Sequence, residues 1–135
     1  FNIIKNKIKP RKGLTGILKF LKSKKIKIGL ASQSKKKNID FVLSLLKLKK
    51  YFDVIISCDD VKNSKPNPEI YLTSCKKLNA EPKECIAIED STLGIKSARS
   101  AGLVCAAFLT RYYNKKELSY SDCIIGNFNE IKKLI

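Results

Sequence analysis

The residues best suited to chemistry in this chain are few and come in order. Cys85-Ile86-Ala87-Ile88 is a short apolar run that stops at Glu89-Asp90, with Ser91, Thr92 and Gly94 next. A buried parallel strand reads as such a run, bounded by turn or cap signals. The two acids therefore sit at a strand's carboxyl end, where open α/β sheets place their ligands. Adjacent carboxylates there suit a hard cation such as Mg²⁺; they equally suit a strand end with solvated acids and Ser91 as an N-cap. Two other places decide between these readings. Ser32, with Gln33 and Ser34, follows another strand that ends on small residues, and Ser64-Lys65-Pro66 precedes a helix start. Phosphoryl transfer is mainly positioning and charge neutralisation. It needs a cation, a fixed positive side chain and hydrogen-bond donors, and these three places supply one of each at sheet edges where they can converge.

The elements that must position them alternate in type. Leu14, Ile17, Leu18 and Leu21 recur at helical spacing, which predicts a helix to about Lys24. Ile26 to Ala31 reads as a strand with Ser32-Gln33-Ser34 as its exit. Asn38 is placed as the cap of a second helix carrying Ile39, Val42, Leu43 and Leu46. Val54-Ile55-Ile56 is a short strand, and Cys58 to Pro66 a loop. Asn67-Pro68 is a cap followed by proline at a first helical position, opening a helix lined by Tyr71, Cys75 and Leu78. After the Cys85 strand, Ser91 opens a fourth helix, with Gly102 as its C′ residue. Val104 to Leu109 is a strand, Arg111 to Asp122 an irregular loop, and Ile124-Ile125 a last strand before a terminal helix capped by Asn129. Strands alternating with helices argue a parallel, doubly wound α/β sheet.

Composition narrows the function classes. The 135 residues carry a formal charge of +16, and 44% of them are hydrophobic. That is too apolar for a disordered chain, and no apolar run reaches membrane-spanning length. The lysines are spread through nearly every helix and loop, and only Lys35-Lys36-Lys37 forms a compact run, without interleaved aromatics. A solvated surface accounts for this better than a nucleic-acid face. The five cysteines form no C-x-x-C pair and there is no histidine to complete a zinc site. They read as reduced core residues of a cytoplasmic protein.

Three segments resemble a known family. Ala31-Ser32-Gln33-Ser34, then Ser64-Lys65-Pro66-Asn67-Pro68-Glu69-Ile70-Tyr71, then Ile88-Glu89-Asp90-Ser91-Thr92-Leu93-Gly94-Ile95-Lys96-Ser97-Ala98 are similar to the later motifs of the haloacid dehalogenase (HAD) superfamily, in its β-phosphoglucomutase-like phosphatase branch. The likeness runs from about Pro10 to about Asn129. It implies a Rossmann-like core and a Mg²⁺-dependent phosphatase acting on a small phosphorylated metabolite. By position it makes Ser32 the hydroxyl that binds the transferring phosphoryl group, with Gln33 beside it. Lys65 becomes the lysine that neutralises nucleophile and phosphoryl oxygens. Asp90 becomes a metal ligand and Glu89 its neighbour, ligating or bracing the ion. Ser34 and Lys35 lie where β-phosphoglucomutases hold a second phosphate.

One departure bears on all of this. The family's nucleophile is the first Asp of a D-x-D-G-x-[TV] motif on the central strand, and no D-x-D occurs here; Asp59-Asp60 are adjacent and lie in a loop. The resemblance therefore implies a core incomplete at its N-terminus: residues 1–9 as the end of a missing cap domain, residues 10–135 as the hydrolase core without its first strand. The strands ending at Ser32 and at Glu89 are then expected to flank an empty place rather than pair. The chain is also expected to act as a monomer, bind no specific nucleic acid and associate with no membrane. A phosphosugar mutase, a catalytically inactive interaction protein and a basic nucleic-acid-binding module remain open as alternatives.

Overall fold

Each short strand sends alternate residues to opposite sides, and both sides are covered by helices. The computed structural model describes residues 8–135; the reading of residues 1–9 lies outside them except for Ile8 and Lys9. In chain order the elements are α1 (Leu14–Ser23), β1 (Gly29–Ala31), α2 (Lys36–Leu45), β2 (Val54–Ile56), α3 (Glu69–Leu78), β3 (Ile86–Glu89), α4 (Thr92–Ser100), β4 (Val104–Phe108) and β5 (Cys123–Ile125), with short 3₁₀ turns between them and a closing 3₁₀ segment, Phe128–Leu134.

All ladders are parallel, so the expected α/β class is what the chain adopts. Among the described residues they form two sheets, however, β1-β2 and β3-β4-β5. β1 and β3, whose carboxyl ends carry the candidate residues, do not pair with each other. On one side Ala31, Val54, Ile56, Ala87, Cys105 and Ala107 pack with Ile70, Tyr71 and Cys75 of α3 and Ile95 and Ala98 of α4. On the other, Leu30 and Ile55 pack with Leu18 of α1 and Ile39 and Leu43 of α2, while Ala106 and Ile125 meet Ile17 of α1 and Ile131. This period-2 division places a doubly wound core on both faces of short, almost wholly apolar strands. Among the described residues no helix is long and apolar enough to cross a membrane.

Several expected boundaries moved, each for a local reason. The Ile26 strand is shorter at its start, because ladder pairing begins only at Gly29 opposite Val54. Asn38 lies inside α2 rather than at its cap; the helix starts from Lys35, and the Lys36 N–H donates to Asp59 Oδ2 at 2.9 Å. A carboxylate from a distant loop thus does the work expected of a local side chain. The terminal cap is Asn127, not Asn129, in a reciprocal capping box with Glu130. Pro68 is the N-cap of α3, with the Asn67 Oδ1 accepting from the Glu69 N–H at 2.9 Å. Ser91 caps α4 as expected, its Oγ accepting from the Gly94 N–H at 3.1 Å, and Gly102 ends that helix at φ +89°.

Carboxylates also pin the junctions between elements. Asp53 accepts from Lys22 Nζ and from the Ile28 N–H, each at 2.8 Å. Asp122 accepts from the Cys105 N–H at 2.8 Å and pairs with Arg99. The Lys22 bond chiefly holds Asp53 below its ordinary value of 3.8, and the Cys105 N–H chiefly does the same for Asp122. A depressed carboxyl contributes stability that is complete above its unfolded value and is lost as pH falls through its folded one. The melting temperature is therefore expected to hold down to about pH 4 and then fall steeply. Asp53→Asn and Asp122→Asn should each lower it at neutral pH and flatten the acid slope in a thermal-melt series; an unchanged slope would remove these junctions as its source.

Candidate functional site

Lys65 stands between the two separate sheets. Its Nζ lies 2.5 Å from Glu89 Oε1, at the carboxyl end of β3, and 3.5 Å from the Ala31 carbonyl oxygen, at the carboxyl end of β1. The chain residue after each contact is a candidate: Asp90 after Glu89, Ser32 after Ala31. One ammonium thus draws together strand exits that lie far apart in the sequence. Both partners are nearly buried, the lysine side chain 10% exposed and the glutamate 7%. An isolated charge at such depth is costly, so each needs the other.

Two residues not singled out as functional in the sequence complete the cluster. The Tyr71 hydroxyl donates to the same Glu89 Oε1, and Lys65 Nζ lies 5.2 Å from the centre of the Tyr71 ring, a cation–π approach. Burial first, and then the neighbouring Glu89 charge, push the Tyr71 phenol far above its usual range, so it stays a donor at any physiological pH. Its helical spacing with Cys75 marks it as a core residue, which it also is; only the polar tip carries a second role. Gly94 is the other. A Cβ built there would overlap the Glu89 carboxylate, so α4 can approach the acid this closely only through glycine.

The loop that presents Lys65 contains a cis Lys65–Pro66 peptide and is braced on both sides by hydrogen bonds. Glu69 Oε1 accepts from the Lys62 N–H at 2.8 Å, and its Oε2 accepts from the Asn63 N–H and the Asn63 side-chain amide at 2.9 Å each. The fully buried Ser97 hydroxyl of α4 donates to the Asn67 carbonyl at 2.7 Å. Through these bonds a long, flexible lysine is delivered from a backbone tied to both flanking helices.

Ser32 is half-buried. Its N–H is spent on the Ile56 carbonyl at 3.0 Å, and its Oγ accepts from the Ser34 N–H at 3.1 Å. That leaves the hydroxyl proton to donate outward. Gln33, Ser34 and Lys35 are exposed at the start of α2. Asp90 is exposed, unlike Glu89. The pair offers hard oxygen donors at a strand end, the donor type that Mg²⁺ takes. Among the described residues no group of three or more acids, cysteines or histidines could hold a metal ion, and Glu89 is already engaged by Lys65 and Tyr71.

Gly94→Ala tests how tightly this cluster is built. Alanine gains up to about 1 kcal/mol of helix propensity. It must also displace a carboxylate from a buried pair whose breakage costs about 3–5 kcal/mol. The balance is expected to destabilise by about 2 kcal/mol or more, read as a lowered denaturation midpoint. A stabilised variant would show that Glu89 leaves the pair at no cost.

Residues 2–108 match the family model described as haloacid dehalogenase-like hydrolase. A phosphorylated carbohydrates phosphatase of Thermotoga maritima is 43% identical over 96 residues, covering 71% of this chain and 44% of that protein. The crystal structure of β-phosphoglucomutase from Clostridium difficile superposes with a TM-score of 0.80 at 37% identity, over 94% of this chain and 53% of that one. That of a mutant of CbbY from Rhodobacter sphaeroides, in complex with xylulose-(1,5)bisphosphate, gives 0.85 at 26% identity, over 95% and 59%. The chain spans about half the length of the curated relatives it matches.

Proposed function

Because the chain belongs to the haloacid dehalogenase-like hydrolase family, we propose that it forms the phosphate-clamping half of a Mg²⁺-dependent phosphatase whose substrate is a small phosphorylated metabolite. The observation that carries this is the Lys65 ammonium between Glu89 and the Ala31 carbonyl. That ammonium holds a fixed positive charge between the two strand ends that Ser32 and Asp90 follow in the chain.

In this reading an aspartate on a strand supplied from outside these residues attacks phosphorus in line. The phosphoryl group passes to that carboxylate as an aspartyl-phosphate, and water then releases it. Lys65 neutralises charge on the attacking carboxylate and the phosphoryl oxygens, and the Ser32 hydroxyl donates to one of those oxygens. Gln33 lies on the same exit. Asp90, with Glu89 as brace, would hold Mg²⁺, whose chemistry there is to shield the negative charge shared by phosphate and acid. Tyr71 keeps Glu89 Oε1 oriented, which in turn keeps the lysine from swinging into solvent. The separation of β1 from β3 supports the placement of the missing strand, since each strand leaves an edge that needs a partner.

A phosphosugar mutase is the second reading. It is favoured by Ser34 and Lys35, which stand exposed at the start of α2, where the Ser34 hydroxyl and the Lys35 ammonium would meet a second phosphate, the Lys36 N–H being taken by Asp59. In both readings the protein works as a cytoplasmic monomer and its lysines are solvated surface.

The test is phosphate release by the full-length protein from an aryl phosphate and a panel of hexose and pentose phosphates, with Mg²⁺ and then with EDTA. Expected are Mg²⁺-dependent turnover and a hydroxylamine-sensitive phosphoprotein. Retention of one isomerised phosphosugar would favour the mutase, and the absence of any phosphoryl transfer would favour a non-catalytic role for the fold.

A further inference from the structure

The seam between α3 and β3 has two ends. At the carboxyl end of the strand Tyr71 meets Glu89. One helical turn on, and four residues earlier in the strand direction, Cys75 meets Cys85, with their sulfurs 3.8 Å apart. Both pairs lie on the same helix face and the same strand face, with buried Ala87 between them. The two thiols are therefore brought together by the packing that builds the active-site cluster, although neither takes part in it.

We propose that Cys75 and Cys85 are a reversible disulfide site, which in its oxidised form staples α3 to the entry of β3. The inference does not rest on the phosphatase reading. Three observations support it. The sulfurs are already in contact at 3.8 Å, so closing to a disulfide's length of about 2.03–2.05 Å brings them less than about 2 Å nearer. Cys85 is partly exposed, its thiol donating to the Glu81 carbonyl at 3.4 Å. Cys75, 3% exposed, is among the residues that line a groove of about 400 Å³, with Leu72, Asn79 and Pro82. An oxidant therefore reaches Cys85 from solvent, and Cys75 lies against it. Burial first, and Cys85 second, push the Cys75 thiol up to about 12, so it stays protonated until it meets the oxidised Cys85 sulfur.

Hydrogen peroxide is an oxidant of the right class. The Cys85 thiolate attacks one peroxide oxygen and breaks the O–O bond; the departing hydroxide takes a proton and leaves as water, so Cys85 becomes a sulfenic acid. Cys75 sulfur then attacks the Cys85 sulfur, loses its proton and expels the sulfenic oxygen as a second water. Two thiols and one peroxide give one disulfide and two waters, with two electrons passing from sulfur to oxygen. Cys58, Cys105 and Cys123 have no sulfur partner at this distance among the described residues.

The test is mild peroxide treatment of the full-length protein, followed by alkylation of free thiols and peptide mass mapping. Expected are a loss of two hydrogens, a single dominant linked peptide joining Cys75 to Cys85, reversal by dithiothreitol, and a higher melting temperature oxidised than reduced. Cys85→Ser should abolish the linked peptide and Cys58→Ser should leave it. Free, alkylated Cys75 and Cys85 after oxidation, predominant linkage of any other pair, or a lowered melting temperature in the oxidised protein would each overturn the proposal. Because the mapping is done on the unsubstituted protein, a variant that fails to fold does not decide the outcome.

Discussion

In the full-length protein, Asp90→Asn is expected to reduce Mg²⁺-dependent phosphatase activity by about 10³-fold or more while leaving the fold intact. A cation's charge stabilisation in phosphoryl transfer is worth several kcal/mol, and each 1.36 kcal/mol is about a factor of ten. The amide keeps the shape of the side chain but gives up the negative charge that a hard cation prefers. Asp90 is exposed, and an exposed, isosteric change is usually worth no more than about 0.5 kcal/mol of stability. Activity and stability should therefore separate cleanly. The measurement is turnover against Mg²⁺ concentration beside a thermal melt. Near-normal turnover by the variant would take Asp90 out of the metal role, and an apparent Mg²⁺ requirement shifted to higher concentration would place it there.

Lys65→Ala should cost on the order of 10²-fold or more in rate, the loss that follows from removing one preorganised transition-state donor. Here the stability consequence is larger than for Asp90. Glu89, 7% exposed, would be left with only the Tyr71 hydroxyl. Breaking one side of a buried pair costs about 3–5 kcal/mol. A double change, Lys65→Ala with Glu89→Gln, should recover much of that stability and none of the rate. That split separates the structural work of the lysine from its chemical work. Lys65→Arg should rescue poorly, since a planar fork places its charge differently from a compact ammonium, and the braced loop leaves no slack to compensate. Activity of Lys65→Ala within a factor of a few of the parent would return the lysine to a purely structural role.

The structure bears unevenly on what the sequence suggests. Strand and helix identities were legible because each is written within a few residues. Ser91 before Thr92 caps its helix whatever lies elsewhere, and Gly102 ends it because φ +89° is open to glycine. Apolar runs such as Val54-Ile55-Ile56 have one parallel-sheet reading, with alternate side chains going to two covered faces. The α/β class followed from alternation of the two periods. Asn38 is a plausible local cap, yet the Lys36 N–H meets Asp59, a group 23 positions away.

Long-range placement belonged to the tertiary structure alone. Nothing near Lys65 in the sequence says that its ammonium reaches Glu89 and the Ala31 carbonyl; that depends on how α3 and α4 settle on the sheets. Tyr71 reads as a core aromatic from its spacing, and its hydroxyl joins the Lys65–Glu89 cluster only because α3 crosses β3 where Glu89 ends the strand. Gly94 reads as one more residue of a helix start, and its missing side chain matters only because a carboxylate lies against it. Cys75 and Cys85 read as separate buried thiols until the same seam brought them into contact. Propensity, capping and turn chemistry act over a turn or two of chain, so a sequence states them directly. Contacts between elements depend on register and packing summed over the whole core, and residues tens of positions apart learn of each other only when that core has formed.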